Sequence, residues 1–175
     1  MDSSYYVLIG VGVMAILFAS ALFIIPIQLK KKRMNAITSL LTDVLPNQTI
    51  HPSNVKYYDF FTDYQSKRYM FKILPFDLKH ELIITNKYFW CINGDLRGWR
   101  RSTVPDLCPW VPEFVDYIPQ NGMKTIKIAL IYPDCYNVTR YLNESDVELV
   151  KPKDLVYGVH FVKALDLKQF FQKPE

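Results

Sequence analysis

The chain has 175 residues, half of them hydrophobic and 22% charged, a balance that excludes long disorder and suits one folded domain with a real core. Its formal net charge of +4 is matched by Lys30, Lys31, Lys32 and Arg33 alone; removing these four from the 21 basic residues leaves 17, against 17 acidic ones. A domain so close to neutral argues against general nucleic-acid binding, which draws on excess positive charge.

From the N-terminus, Tyr5 to Ile27 contains no charged residue. About 20 helical residues cross the hydrocarbon core of a bilayer, so this run predicts a transmembrane helix over residues 5–29. Tyr5 and Tyr6 stand where interfacial aromatics belong, and Pro26 falls near the far end. A cleaved signal peptide is the competing reading, with Ala19-Ser20-Ala21 as the cleavage site. Against it, only Asp2 precedes the run as a charge, and the run continues through Leu22, Phe23, Ile24 and Ile25, whereas signal peptides start basic and have shorter apolar stretches. Lys30 to Arg33 directly follow the span, so the positive-inside rule places residues 1–4 outside the cytoplasm and the domain within it. The same cluster is suited to anionic headgroups. Three sequons, beginning at Asn47, Asn137 and Asn143, carry the opposite expectation of a domain in a secretory lumen.

Met34 to Leu45 places Ile37, Leu40, Leu41, Val44 and Leu45 on one helical stripe that Pro46 ends, so 30–45 reads as a basic juxtamembrane segment with an amphipathic helix. The soluble domain then spans 46–175. Val55–Phe61 and Lys67–Leu74 read as strands. Glu81–Thr85 and Tyr88–Ile92 read as a hairpin turning on Asn86-Lys87, with Asn93-Gly94-Asp95 as the next turn. Arg97 to Gln120 holds Pro105, Pro109, Pro112 and Pro119 with Trp99, Trp110, Phe114 and Tyr117 between them, which predicts a long irregular loop with a short helix near Pro112–Tyr117. Thr125–Tyr132 is the strongest candidate for a central strand. A helical turn is expected over Asn137–Leu142, strands over Val147–Val150 and Gly158–Val162, and a closing helix over Leu165–Gln172, its apolar side carrying Leu165, Leu167, Phe170 and Phe171. The order predicts an α+β or mixed α/β domain around a single sheet.

No P-loop, glycine-rich dinucleotide loop, nucleophile elbow or zinc-protease motif occurs. His51, His80 and His160 lack ligand spacing, so no metal or cofactor is expected. Cys91, Cys108 and Cys135 are widely spaced, which suits a reducing compartment and leaves one bridge plus a free thiol as the alternative. Cys135 with His160 is the only nucleophile–base combination worth stating, and buried or surface thiols are the default.

Between Asp77 and Arg101, Glu81 precedes the hairpin, Asp95 follows it, and Arg97, Arg100 and Arg101 come next. Carboxylates to hold a divalent cation and a nearby positive charge are what a metal-dependent nuclease needs. The arrangement faintly resembles nuclease-related domains of the PD-(D/E)xK type, some of which are tethered by an N-terminal membrane helix. Aligned on the family's second hairpin strand, this chain has Asn93 at the glutamate and Asp95 at the lysine. The departure falls on the catalytic positions, so the resemblance implies an inactive relative or no relation.

Arg97-Gly98-Trp99-Arg100-Arg101 mixes cations with an aromatic ring. Such residues meet phosphates, headgroups or acidic partners, and they anchor protein interfaces. The plainer alternative is a solvated turn with Trp99 tucked into the core. The sequence therefore favours a membrane-anchored, non-enzymatic interaction module or accessory subunit of a membrane complex. Arg97, Trp99, Arg100, Arg101 and Trp110 are its partner-binding candidates, and Lys30, Lys31, Lys32 and Arg33 face the membrane. Its expected partners are the lipid bilayer and another protein. A nuclease-like or other hydrolytic domain is the second reading, and an extracellular or viral-envelope glycoprotein the third.

Overall fold

A computed structural model describes residues 3–76, 78–93, 110–119, 122–143 and 146–172, without the side chains of 3–21, 23 and 93. The fold is mixed α+β, with three α-helices and two sheets among the described residues. The chain divides into two units, one ending at Leu40 and the other beginning at Leu41.

Helix α1, Ser3–Val44, is continuous over 42 residues, so the amphipathic stretch is its last turns rather than a separate helix. Lys30 to Arg33 are all exposed along it. Among the described residues no helix is long and apolar enough to cross a membrane. Most of the uncharged run precedes Leu22, where only the backbone is described.

Among its described residues the second unit contains ten short to medium strands. A six-stranded sheet has the order β1 (His51–Pro52), β2 (Phe60–Tyr64), β3 (Lys67–Pro75), β6 (Lys124–Tyr132), β10 (Val159–Lys163) and β9 (Leu155–Val156). A four-stranded sheet has the order β5 (Trp90–Asn93), β4 (Glu81–Ile84), β7 (Val138–Tyr141) and β8 (Val147–Leu149). As its apolar run requires, β6 is central: it pairs in parallel with β3 on one side and β10 on the other, and Ile128 to Ile131 are fully buried.

The expected single sheet is corrected to two. The strands β4, β5, β7 and β8 are only three or four residues long. Leu82, Ile84, Trp90 and Val138 join the same core cluster as Met70, Leu74, Ala129, Ile131, Val159 and Phe161 of the long strands. Half-covered strands of this kind bury one face only, and a second layer over the first accomplishes that. Helix α2, Val111–Asp116, closes the same core with Val111, Phe114 and Val115.

Four local expectations also change. The Val55–Phe61 strand begins only at Phe60, because the Val55 amide donates to Ser53 Oγ at 3.0 Å and the chain turns there. The hairpin after Glu81 pairs Ile84 with Trp90, leaving 85–89 as a five-residue loop. Asn86 Oδ1 accepts from the amides of Tyr88 and Phe89, both at 2.9 Å, replacing a tight turn that Asn-Lys does not favour. The stretch 137–142 holds the strand β7, Val138–Tyr141, instead of a helical turn, because β4 and β8 flank it on both sides. The closing helix α3 is Leu167–Gln172; Leu165 lies before it in a 3-10 turn and is 78% exposed.

Candidate functional site

The face of the six-stranded sheet turned away from the four-stranded one holds an open cleft of about 600 Å³. It begins at the β2–β3 hairpin. Tyr64 pairs with Lys67, so Gln65 and Ser66 alone make the turn, with φ of 50° and 60°. Positive φ at both positions is the geometry that matches strand twist in a two-residue hairpin, although glycine and asparagine occupy it more readily. Strand alternation then puts Tyr64, Lys67 and Tyr69 on one face. Parallel pairing brings Ile126 beside Tyr69 and sets His160 in the next strand over, opposite Ile128.

Helix α3 supplies the other wall. Leu167 is fully buried and fixes the helix, while Phe170 and Phe171 line the cleft. The Phe171 ring lies 5.1 Å from Tyr69 and 6.1 Å, edge on, from Tyr64. Phe170 meets Phe171 at 5.2 Å and His160 at 5.2 Å, both edge to face. These spacings are those of mutually supporting rings. Val44 and Leu45 close one end, and Lys153 comes in from the turn between β8 and β9. Among the described lining residues the charged side chains are Lys67 and Lys153, and none is a carboxylate.

The groups with altered acid–base chemistry are committed elsewhere. Burial pushes the Cys135 thiol up to about 11, and its Sγ donates to the Asn137 carbonyl at 3.4 Å. Burial also raises Cys91, whose Sγ donates to the Ile83 carbonyl at 3.6 Å. Both thiols are free and buried. Neither is activated, since a reactive cysteine needs a lowered pKa and access. Cys135 belongs to the inner core with Val159 and Phe161, whereas His160 lies on the opposite face of β10, so the sheet stands between the suggested nucleophile and base. Burial lowers the pKa of Lys127, whose ammonium donates to the Val115 carbonyl at the end of α2. A cation at a helix C-terminus is a structural cap.

No known family, curated protein or solved structure matches this chain.

Of the nuclease-like carboxylates, Glu81 accepts from Thr139 Oγ1 at 3.2 Å, and Asp95 lies outside the described residues. Among the described residues no group of three His, Cys, Asp or Glu side chains is placed to hold a metal. Arg97, Trp99, Arg100 and Arg101 also lie outside them, as does Cys108. Trp110 is described and half-buried: its ring lies 6.0 Å from both Trp90 and Phe114, and Lys72 Nζ sits 4.9 Å from its centroid. No compact motif in the sequence marks the cleft. Its one available signal was Phe170-Phe171, two large rings on a terminal helix of six residues.

Proposed function

We propose that the protein is a single-pass, membrane-anchored interaction module whose domain works in the cytoplasm without enzymatic chemistry, as an accessory subunit of a membrane complex. The observation that carries this reading is the aromatic cleft of about 600 Å³, walled by Tyr64, Tyr69, Phe170 and Phe171, with no nucleophile–base pair among its described lining residues. Open clefts lined by rings and rimmed by a few charges suit recognition. The anchor is supported by the uncharged run Tyr5–Ile27 lying inside one continuous helix, followed by four exposed cations. A second contact surface is assigned to Arg97, Trp99, Arg100, Arg101 and Trp110 from their composition.

Affinity purification from native membranes tests this directly. A stoichiometric protein partner is expected to co-purify with the wild type and to be released by Lys67→Glu with Arg100→Glu. Protease added to intact cells is expected to leave the domain uncut. Cleavage from outside, or glycosidase-sensitive mass at the sequons, overturns the orientation; purification without any protein partner overturns the module.

A further inference from the structure

We propose that the cleft is the docking site for an acidic peptide segment carrying one aromatic residue, contributed by the partner protein; this rests on the interaction-module reading and specifies its ligand. Three features argue for that chemistry. First, the wall is made of rings: Tyr64, Tyr69 and Phe171 form a triangle with centroids 6.2, 6.1 and 5.1 Å apart, tilted or edge on to one another, a surface against which a further ring can pack. Second, the charges are of one sign: Lys67 and Lys153 line the cleft, and no carboxylate among the described residues does. Lys67 forms no ion pair with any described residue, so its ammonium is available to an incoming carboxylate. Third, about 600 Å³ is several times what one aromatic side chain fills, and pockets of this size accept a ligand with flanking groups. The partner's ring enters the aromatic wall, and an acidic residue beside it meets Lys67 at the mouth.

The construction of the floor supports a preformed site. Tyr69 is 6% exposed and Phe71, two residues on, is fully buried, so β3 is held rigidly beneath the opening. Little ordering is then required on binding, which favours affinity from a short segment.

The test is calorimetric titration of the full-length chain in nanodiscs of zwitterionic lipid with the peptide acetyl-Glu-Glu-Phe-Glu-Glu-amide. Saturable one-to-one binding is expected. Replacing the peptide's Phe by Ala, or its four Glu by Lys, should weaken binding at least tenfold. Lys67→Glu should weaken it at least fivefold, and raising salt should weaken it further. Phe171→Ala should do the same, with near-ultraviolet circular dichroism reporting whether the fold is kept; Lys67→Glu, at a half-exposed position, keeps the test sound if Phe171→Ala unfolds. Equal binding of the Glu and Lys peptides overturns the proposal, as does an unchanged affinity in Lys67→Glu or an absence of saturable heat. Equal affinity for 1-naphthyl phosphate also overturns it, in favour of a small anionic ligand. If the peptide fails while a protein still co-purifies, the docking proposal falls and the module reading stands; if the peptide binds and no partner co-purifies, the ligand chemistry of the cleft stands, and the module reading falls together with the partner as the source of the segment.

Discussion

The two faces of the six-stranded sheet are built from the same strands yet are finished differently. On the inner face Met70, Leu74, Ala129, Ile131 and Phe161 meet the second sheet and α2, and the layer is closed. On the outer face burial runs out along the strands: Phe71, Ile128, Leu130 and Val162 are fully buried, whereas Lys67, Ile126 and His160, nearer the strand starts, are only half-buried around the cleft. The closed face is aliphatic with a few rings; the open end is mostly aromatic. Complete interdigitation stabilises, and an unfinished aromatic layer keeps apolar surface where another molecule can reach it.

The largest expected effect separates the faces by stability. Phe114→Ala removes a fully buried ring that α2 contributes to the inner core and should cost about 3–5 kcal/mol in urea unfolding of the full chain. Phe171→Ala, on a half-buried ring at the cleft, should cost about 1–2 kcal/mol. Equal costs would mean that the cleft wall is as much a core as the inner face.

The inner face also holds one polar device. Asp59 Oδ2 accepts from the Ile73 amide at 2.8 Å, and Oδ1 lies 3.5 Å from Lys72 Nζ. Lys72 is only 9% exposed and donates to the Lys56 carbonyl at 3.2 Å. Asp59→Ala strands an amide and a desolvated cation together, an expected loss of about 2–3 kcal/mol. Adding Lys72→Met should restore part of that loss. A double variant no better than the single one would show that the amide alone matters.

Alkaline pH probes the same face. Cys135 keeps its proton to about 11 in the folded chain against 9.0 in an open one, because burial disfavours the thiolate. A raised folded value means that the contribution is fully present below pH 9 and is lost as pH climbs toward 11. The fall across that window should be on the order of 2 kcal/mol smaller in Cys135→Ala than in the wild type. A wild-type curve parallel to that of Cys135→Ala would show water reaching the inner face.

How much of this was legible follows from where each residue's partners lie. The run Thr125–Tyr132 reads as a central strand because burial on both faces leaves eight consecutive residues with little choice, and β6 differs from it by one residue. Residues 137–142 misread as a turn because their strand character comes from β4, more than fifty residues away, and from β8. The cleft was less visible still. Tyr64, His160 and Phe171 look unrelated in order, and it takes the β2–β3 hairpin, the parallel register of β3, β6 and β10, and the packing of α3 to gather them. The Arg97–Arg101 cluster was conspicuous because it is compact in sequence, and compactness is what composition can detect.

The smallest expected effect tests whether the open face carries a deliberate cost. Ser66 holds φ of 60° in the turn that forms the rim of the cleft. For a side chain other than glycine that conformation is unfavourable by about 1–2 kcal/mol, though glycine loses more freedom on folding. Ser66→Gly should therefore raise stability by a net of about 0.5–1 kcal/mol, read as a shift of the urea midpoint at constant slope. Gln65 and Lys67 keep their places on either side, since the two-residue register is set by the Tyr64–Lys67 pair. Peptide affinity should then stay unchanged, because a turn relieved of strain in the same geometry still presents the Lys67 ammonium. If affinity drops while stability rises, the left-handed serine serves the cleft and the open face has been kept at the expense of the fold. If stability falls instead, the turn is already at ease, and the contrast between the faces lies in packing alone.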